Sequence, residues 1–213
     1  MIVLDFEQGT QEWLKARAGK VTASKISDVM AKIKSGEAAA RKDYRAQIVA
    51  EILTGNPQGS TFTNEEMRWG TDNEPLARAE YETAKGVMVD QVGFVVHPTI
   101  DRAGCSPDGL VEALVGDAGL VEIKCPKTAT HLTYLLDGRV PSQYQPQMLW
   151  QMACTEAAWC DFVSFDPRLP EDLQLFVVRF KRDDERIKEM EAEVNLFLSE
   201  VDEILTKLRP THE

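Results

Sequence analysis

SPDGLVEALVGDAGLVEIKCP, residues 106–126, is the stretch from which the fold is read. Asp108 lies in a Pro-Asp-Gly corner, where a chain enters or leaves a strand. Glu122 and Lys124 stand at i and i+2 of the apolar strand 120–125. Strand alternation puts both on one face, about 6.6 Å apart, while Val121 and Ile123 point the other way into a core. A charged pair on an otherwise buried strand is costly unless something uses it. A divalent cation is the natural user: magnesium takes carboxylate oxygens, keeps several waters and clamps phosphate. Two carboxylates on neighbouring strands would hold it, with the lysine directed at an attacking water. The bland alternative is a structural Glu–Lys pair beside an unrelated turn aspartate. Asp108, thirteen residues and then Glu-x-Lys make a fuller pattern than that alternative needs.

Outward from this stretch, residues 103–112 and 119–124 flank VGDAG and read as a hairpin. VMVD (87–90) and GFVVH (93–97) are short β-branched strands. Helices are expected over 128–136 and 142–154, strands over 159–165 and 174–179, and an amphipathic helix over 183–208. That last helix is apolar at Ile187, Met190, Val194, Leu198, Val201 and Leu205, and its acidic surface is expected to face solvent or a neighbouring subunit. The N-terminal half reads as helices over 10–18, 22–31 and 37–53, the last stopped by TGNPQGST. Thr63 with Glu66 fits a capping box, Pro75 a new helix start, and Gly86 the stop after Lys85. With no repeat or linker in 213 residues, one domain over 1–213 is expected.

The formal charge of −11 argues at first against nucleic acid. Its distribution reverses that. Between Lys15 and Arg45 stand nine Lys or Arg against Asp28, Glu37 and Asp43, whereas residues 181–213 carry six positive and ten negative side chains. Such asymmetry suits a protein that meets phosphate on one face. No apolar run approaches a membrane span, and MIVLDFEQGTQEW lacks a signal-peptide core, so the expected address is the cytoplasm. The four cysteines (Cys105, Cys125, Cys154, Cys160) form no CxxC pair and read as buried thiols, with an iron–sulfur site as the rival.

SPDG…EIKCP closely resembles the PD-(D/E)xK nucleases, and specifically the lambda-exonuclease or YqaJ-type viral recombinase family. WLKARAGKVTASK (13–25), WGTDNEPLAR (69–78) and YQPQMLWQM (144–152) resemble further motifs of that family in the same order, and FDPRL (165–169) adds a weaker likeness. The resemblance implies an α/β, restriction-endonuclease-like core: a mixed sheet of about five strands flanked by helices. It implies that Asp108, Glu122 and the Ile123 carbonyl ligate magnesium (manganese substituting), that Lys124 positions or activates water, and that Glu74 is an additional acid near the metal. Arg17, Ser24, Ser106 and Gln147 match residues that grip a terminal 5′-phosphate, a role their donors suit. Met67 matches an apolar wedge between DNA strands. The implied activity is 5′→3′ digestion of one strand of linear duplex DNA to mononucleotides. The implied assembly is a ring-shaped homotrimer on double-stranded DNA ends, working with a single-strand-annealing recombinase. A DNA-end-binding module without catalysis is the rival from another class.

Overall fold

The computed structural model describes residues 1–58, 64–111 and 118–209. The chain begins with β1 (Ile2–Leu4), α1 (Gln11–Arg17), β2 (Val21–Thr22), a 3-10 turn (Ala23–Lys25), α2 (Ile26–Val29) and α3 (Ala39–Thr54). Then come α4 (Glu65–Lys85), β3 (Val89–Asp90), β4 (Phe94–Val96), β5 (Ala103–Cys105), β6 (Gly109–Val111) and β7 (Gly119–Lys124). The C-terminal part holds α5 (Thr128–Asp137), α6 (Gln145–Thr155), β8 (Trp159–Phe165), β9 (Leu175–Lys181) and α7 (Asp184–Leu208).

The expected five-stranded mixed sheet is present in the order β3-β6-β7-β8-β9. β7 sits at its centre, antiparallel to β6 and parallel to β8. A second, four-stranded sheet, β1-β4-β5-β2, was not expected. It takes in residues 103–105, which the sequence reading had joined to the hairpin; the hairpin proper is β6 and β7. The VGDAG turn between them falls largely outside the described residues.

Two apolar clusters flank the central sheet. Val121 and Ile123 join Ala77 and Tyr81 of α4 with Val163 and Phe165 of β8. On the other side Leu120 joins α6, α3 and α7 through Met148, Trp150, Ile48, Phe197 and Val201. Glu122 faces this second, equally buried side. Close packing at the start of β7 depends on Gly119, where a Cβ would lie 2.2 Å from the Trp159 ring.

Several local expectations are corrected. Residues 22–31 are not one helix; Val21–Thr22 pairs with β5, and a 3-10 turn leads into the four-residue α2. Thr63 lies outside the described residues, and the cap of α4 is Asn64, whose side chain accepts from the Met67 N–H at 2.7 Å. Pro75 begins no helix and lies inside α4. The single N–H it removes is outweighed by the burial of Ala77, Arg78 and Tyr81 in the turns that follow.

The charge asymmetry is used internally more than expected. Arg41 and Arg45 both bind Glu37 and Glu200, Lys32 binds Glu193 at 2.8 Å, and Lys25 binds Asp28 at 2.9 Å. The acidic face of α7 is thus a counter-surface for the basic helices of its own chain, and it presses its apolar stripe on the core. No helix among the described residues is long and apolar enough to cross a membrane.

Candidate active site

β7 delivers Glu122 into a fully buried position, 0% exposed, against α6. Three donors hold it there: Lys124 Nζ and Gln147 Nε2 on Oε1, the latter at 2.7 Å, and Gln151 Nε2 on Oε2 at 2.6 Å. Gln147 and Gln151 are one helical turn apart on α6, so one face of that helix supplies both amides. Three directed donors offset the cost of burying this carboxyl group and fix its orientation.

Asp108 enters from the start of β6, and its Oδ2 accepts from the Ile123 N–H at 2.6 Å. Burial is the main force raising its pKa, with the Glu122 charge adding to it and Lys124 opposing; the result is about 8. Glu74 adds to the rise. It projects from α4, bound to Arg78 at 2.5 Å, and the same guanidinium reaches the Asp108 carbonyl at 3.4 Å. Burial acts to lower the Lys124 pKa, but the charges of Glu122 and Asp108 outweigh it and raise it overall. Lys124 is therefore an ammonium, set 5.5 Å over the Tyr144 ring.

Asp108, Glu122 and Lys124 thus meet at one place, while Glu74 reaches them only as a nearby charge and through Arg78, which also contacts the Asp108 carbonyl. The donor set suits magnesium. Two carboxylates repel each other in a half-buried site, and a divalent cation between them would relieve what now pushes Asp108 toward its protonated form. No group of three or more His, Cys, Asp or Glu among the described residues converges as a metal site. A soft or fully caged metal therefore has no set of ligands, whereas magnesium needs only one or two carboxylates and water. The cysteines are free and buried, and although Cys105 and Cys154 meet, no three of them gather among the described residues as an iron–sulfur site would need. His131 is spent on Ser164 at 2.7 Å and the Leu173 carbonyl at 2.9 Å.

Next to this centre lies a polar chain that starts on α1. Arg17 stacks on Trp13, 3.9 Å from the ring centroid, and donates to Ser24 Oγ at 3.3 Å. Trp13 Nε1 donates to Ser106 Oγ at 2.9 Å, and Ser106 precedes Asp108 by two residues. A cavity of about 190 Å³ opens here, lined by Trp13, Arg17, Lys20, Ser24 and Lys25, with Glu51 at its base. Burial lowers the Arg17 pKa, the mark of a desolvated cation. Glu51 is buried and accepts from the Gly19 N–H at 2.8 Å, so it fixes the turn just after Arg17.

Of the phosphate set only Arg17 and Ser24 line this cavity; Ser106 is tied to it through Trp13, and Gln147 is turned elsewhere. It serves Glu122 and is not among the residues lining the Arg17 cavity. Met67 stands apart on the first turn of α4, 54% exposed, and therefore not a core methionine. Sequence reasoning missed Gln151, Trp13 as the link to Ser106, and Glu51. The Gln147/Gln151 spacing of four within an apolar helix was the available signal for the first.

A central β7 carrying Glu-x-Lys, with an aspartate at the mouth of the adjacent strand, defines the restriction-endonuclease-like class of α/β proteins. Residues 12–158 match the YqaJ-like viral recombinase domain, and the chain belongs to that family. It is similar to an alkaline exonuclease, LHK-Exo, from Laribacter hongkongensis. The two are 48% identical over 93% of this chain and 96% of that one, with a TM-score of 0.84. A second structure of LHK-Exo, in complex with dAMP, gives 0.83 over 93% of this chain and 97% of that one. A phage-related exonuclease from Haemophilus somnus 129PT shares the fold, with a TM-score of 0.69 at 15% identity, over 89% of this chain and 96% of that one. The mimivirus protein R354 of Acanthamoeba polyphaga mimivirus is 29% identical over 168 residues; the match spans 74% of this chain but 29% of that protein.

Proposed function

We propose that this protein is a magnesium-dependent 5′→3′ exonuclease that digests one strand of linear duplex DNA to mononucleotides during single-strand-annealing recombination. The observation that carries this reading is the convergence of Asp108, Glu122 and Lys124 at one end of β7, next to the Arg17–Ser24–Ser106 chain. The family and the 48% identity to an alkaline exonuclease support nuclease chemistry of the recombination kind. A ring-shaped trimer and an annealing partner belong to the same reading, as does manganese as a substitute metal.

Asp108, Glu122 and the Ile123 carbonyl would hold the cation. When bound, it would lower the pKa of a water and offset charge on the phosphate in the transition state. The protein's own groups do the rest. Gln147 and Gln151 hold Glu122 aimed at the site, and Ile123 N–H fixes the rotamer of Asp108. Lys124, a protonated point charge, orients the water and balances the phosphate oxygens. Arg17, Ser24 and Ser106 would grip the terminal 5′-phosphate and hold the next phosphodiester in register at Asp108. The intact acid–lysine set is what disfavours a purely DNA-end-binding module.

End chemistry supplies the test. Arg17 is the only full charge in the proposed phosphate set, and a charge-assisted hydrogen bond contributes about 1.5–3 kcal/mol. Arg17→Ala is expected to slow digestion of 5′-phosphorylated duplex by roughly ten- to a hundredfold. A 5′-hydroxyl end lacks the anion, so the loss there should be small, and the phosphate-to-hydroxyl rate ratio should collapse toward one. Equal slowing of both ends, or a wild type indifferent to end chemistry, would refute end recognition at this site.

A further inference from the structure

A second cavity, of about 500 Å³, opens where β7 ends, and it shares no lining residue with the Arg17 cavity. Its walls include Trp69, Lys127, Tyr134, Gln143, Tyr144 and Arg168. The aromatic rings are held in place: Tyr144 stacks on Phe162 at 5.4 Å and meets the edge of Tyr134 at 6.5 Å. The Arg168 guanidinium carbon lies over the Trp69 ring, 4.2 Å from its centroid. Its guanidinium is anchored by the fully buried Asp166 at 2.7 and 2.9 Å and by the Pro126 carbonyl at 3.2 Å.

The cations here are already matched, Arg168 by Asp166 and Lys127 by Glu66 at 2.6 Å, and Glu65 adds a further acid to the lining. A phosphate clamp would need uncompensated cations. Planar rings, a planar guanidinium and the Gln143 amide instead suit a nucleobase, which binds by stacking and one or two hydrogen bonds. The volume is within the range that accommodates a nucleoside.

Position then selects which base. Ser106, on the phosphate side, stands two residues before Asp108, while Cys125, Pro126 and Lys127 of this cavity are the three residues after Lys124. The two carboxylate-bearing segments are thus continuous in the chain with the two sides, Asp108 with Ser106 and Glu122 with this cavity through Lys124 and Cys125. Met67 is exposed on the same first turns of α4 that carry Trp69. We propose that this cavity receives the base of the second nucleotide of the digested strand, the one just 3′ of the scissile bond, as that strand passes from the fork at Met67 to the metal. The inference rests on the 5′→3′ reading above. It makes Trp69, Tyr144 and Arg168 positioning residues for register, acting on the nucleotide that stays attached.

The test uses 5′-phosphorylated duplexes that carry one abasic residue, at the second or the fourth nucleotide of the digested strand. Single-turnover cleavage in magnesium and binding by fluorescence anisotropy in calcium are both read. Base–aromatic stacking contributes enough that an abasic second nucleotide should cost about tenfold in each, and an abasic fourth nucleotide almost nothing. Arg168→Gln and Trp69→Leu should cost a similar factor on intact duplex and little more on the abasic one, since the base they serve is already gone. Equal rates and affinities for the intact and second-position abasic duplexes would overturn the proposal, as would losses that multiply independently. The wild-type comparison needs no variant to fold. Complete absence of digestion in magnesium would sink the exonuclease reading instead, and the calcium binding arm would still judge the cavity.

Discussion

Asp108→Ala and Glu122→Ala should each abolish cleavage of linear duplex, because each removes a carboxylate from a cation held by few protein groups. EDTA should do the same to the wild type, and calcium should permit binding without turnover. The two variants should differ sharply in stability. Glu122 is fully buried and accepts from Lys124, Gln147 and Gln151. Removing it strands an ammonium and two amides, and breaking a buried charge pair in this way costs about 3–5 kcal/mol. Asp108→Ala instead removes a carboxyl that burial and Glu122 already disfavour in its charged form. Its metal-free fold should be at least as stable as the wild type at pH 8 and above. Parallel denaturation and digestion assays read both quantities. Near-normal digestion by either variant would place the chemistry elsewhere.

The same asymmetry predicts a pH dependence. The Asp108 pKa is raised from 3.8 to about 8 in the metal-free protein, so the folded state holds a proton that the unfolded chain releases near pH 4. Stability of the metal-free protein should therefore fall as pH rises from about 4 through about 8, because the fold disfavours the charge. Magnesium competes with that proton. Its apparent affinity should climb over the upper part of this window and level off above it, which titration calorimetry at pH 6.5, 7.5 and 8.5 would read. An affinity flat across those pH values would mean that Asp108 is not a ligand.

The central strand was legible because alternation is a strong signal where one charged face interrupts an apolar run, as at Glu122 and Lys124. α7 was legible for the same reason at helical period, and Asp183 does cap it. The second sheet was not, since β1, β4 and β5 have three residues each and β2 has two, too short to show a period. The turn at Val21–Lys25 looked helical because its residues only reveal themselves through pairing with Ala103 and Gly104, eighty residues away. Long-range pairing also hid Arg41 and Arg45 against Glu200, which made a basic surface seem freer than it is. Of the site, the acids and lysine share one local motif. Gln151 buried its meaning among Met148, Leu149, Trp150 and Met152, where an amide reads as an accident of a core helix.

Lys124→Ala should reduce turnover by about a hundredfold or more while leaving magnesium and DNA binding in place. Both carboxylates remain in this variant, and Glu122 keeps its two glutamine donors. The charges of Glu122 and Asp108 raise the Lys124 pKa against the effect of burial, so a base role has no support in the metal-free site. What is lost is therefore a positive charge aimed at the water and the phosphate oxygens. That predicts a fall in kcat with little change in KM, as for an interaction realised in the transition state. Lys124→Arg restores charge but not the compact ammonium. The wider fork must fit between Glu122 and the face of Tyr144, where Nζ now stands 5.5 Å from the ring centroid. Partial rescue at most is expected. Complete loss of magnesium affinity in Lys124→Ala would show instead that the lysine's main task is to hold Glu122 in its ligating position. Full rescue by arginine would show that any cation at this place suffices.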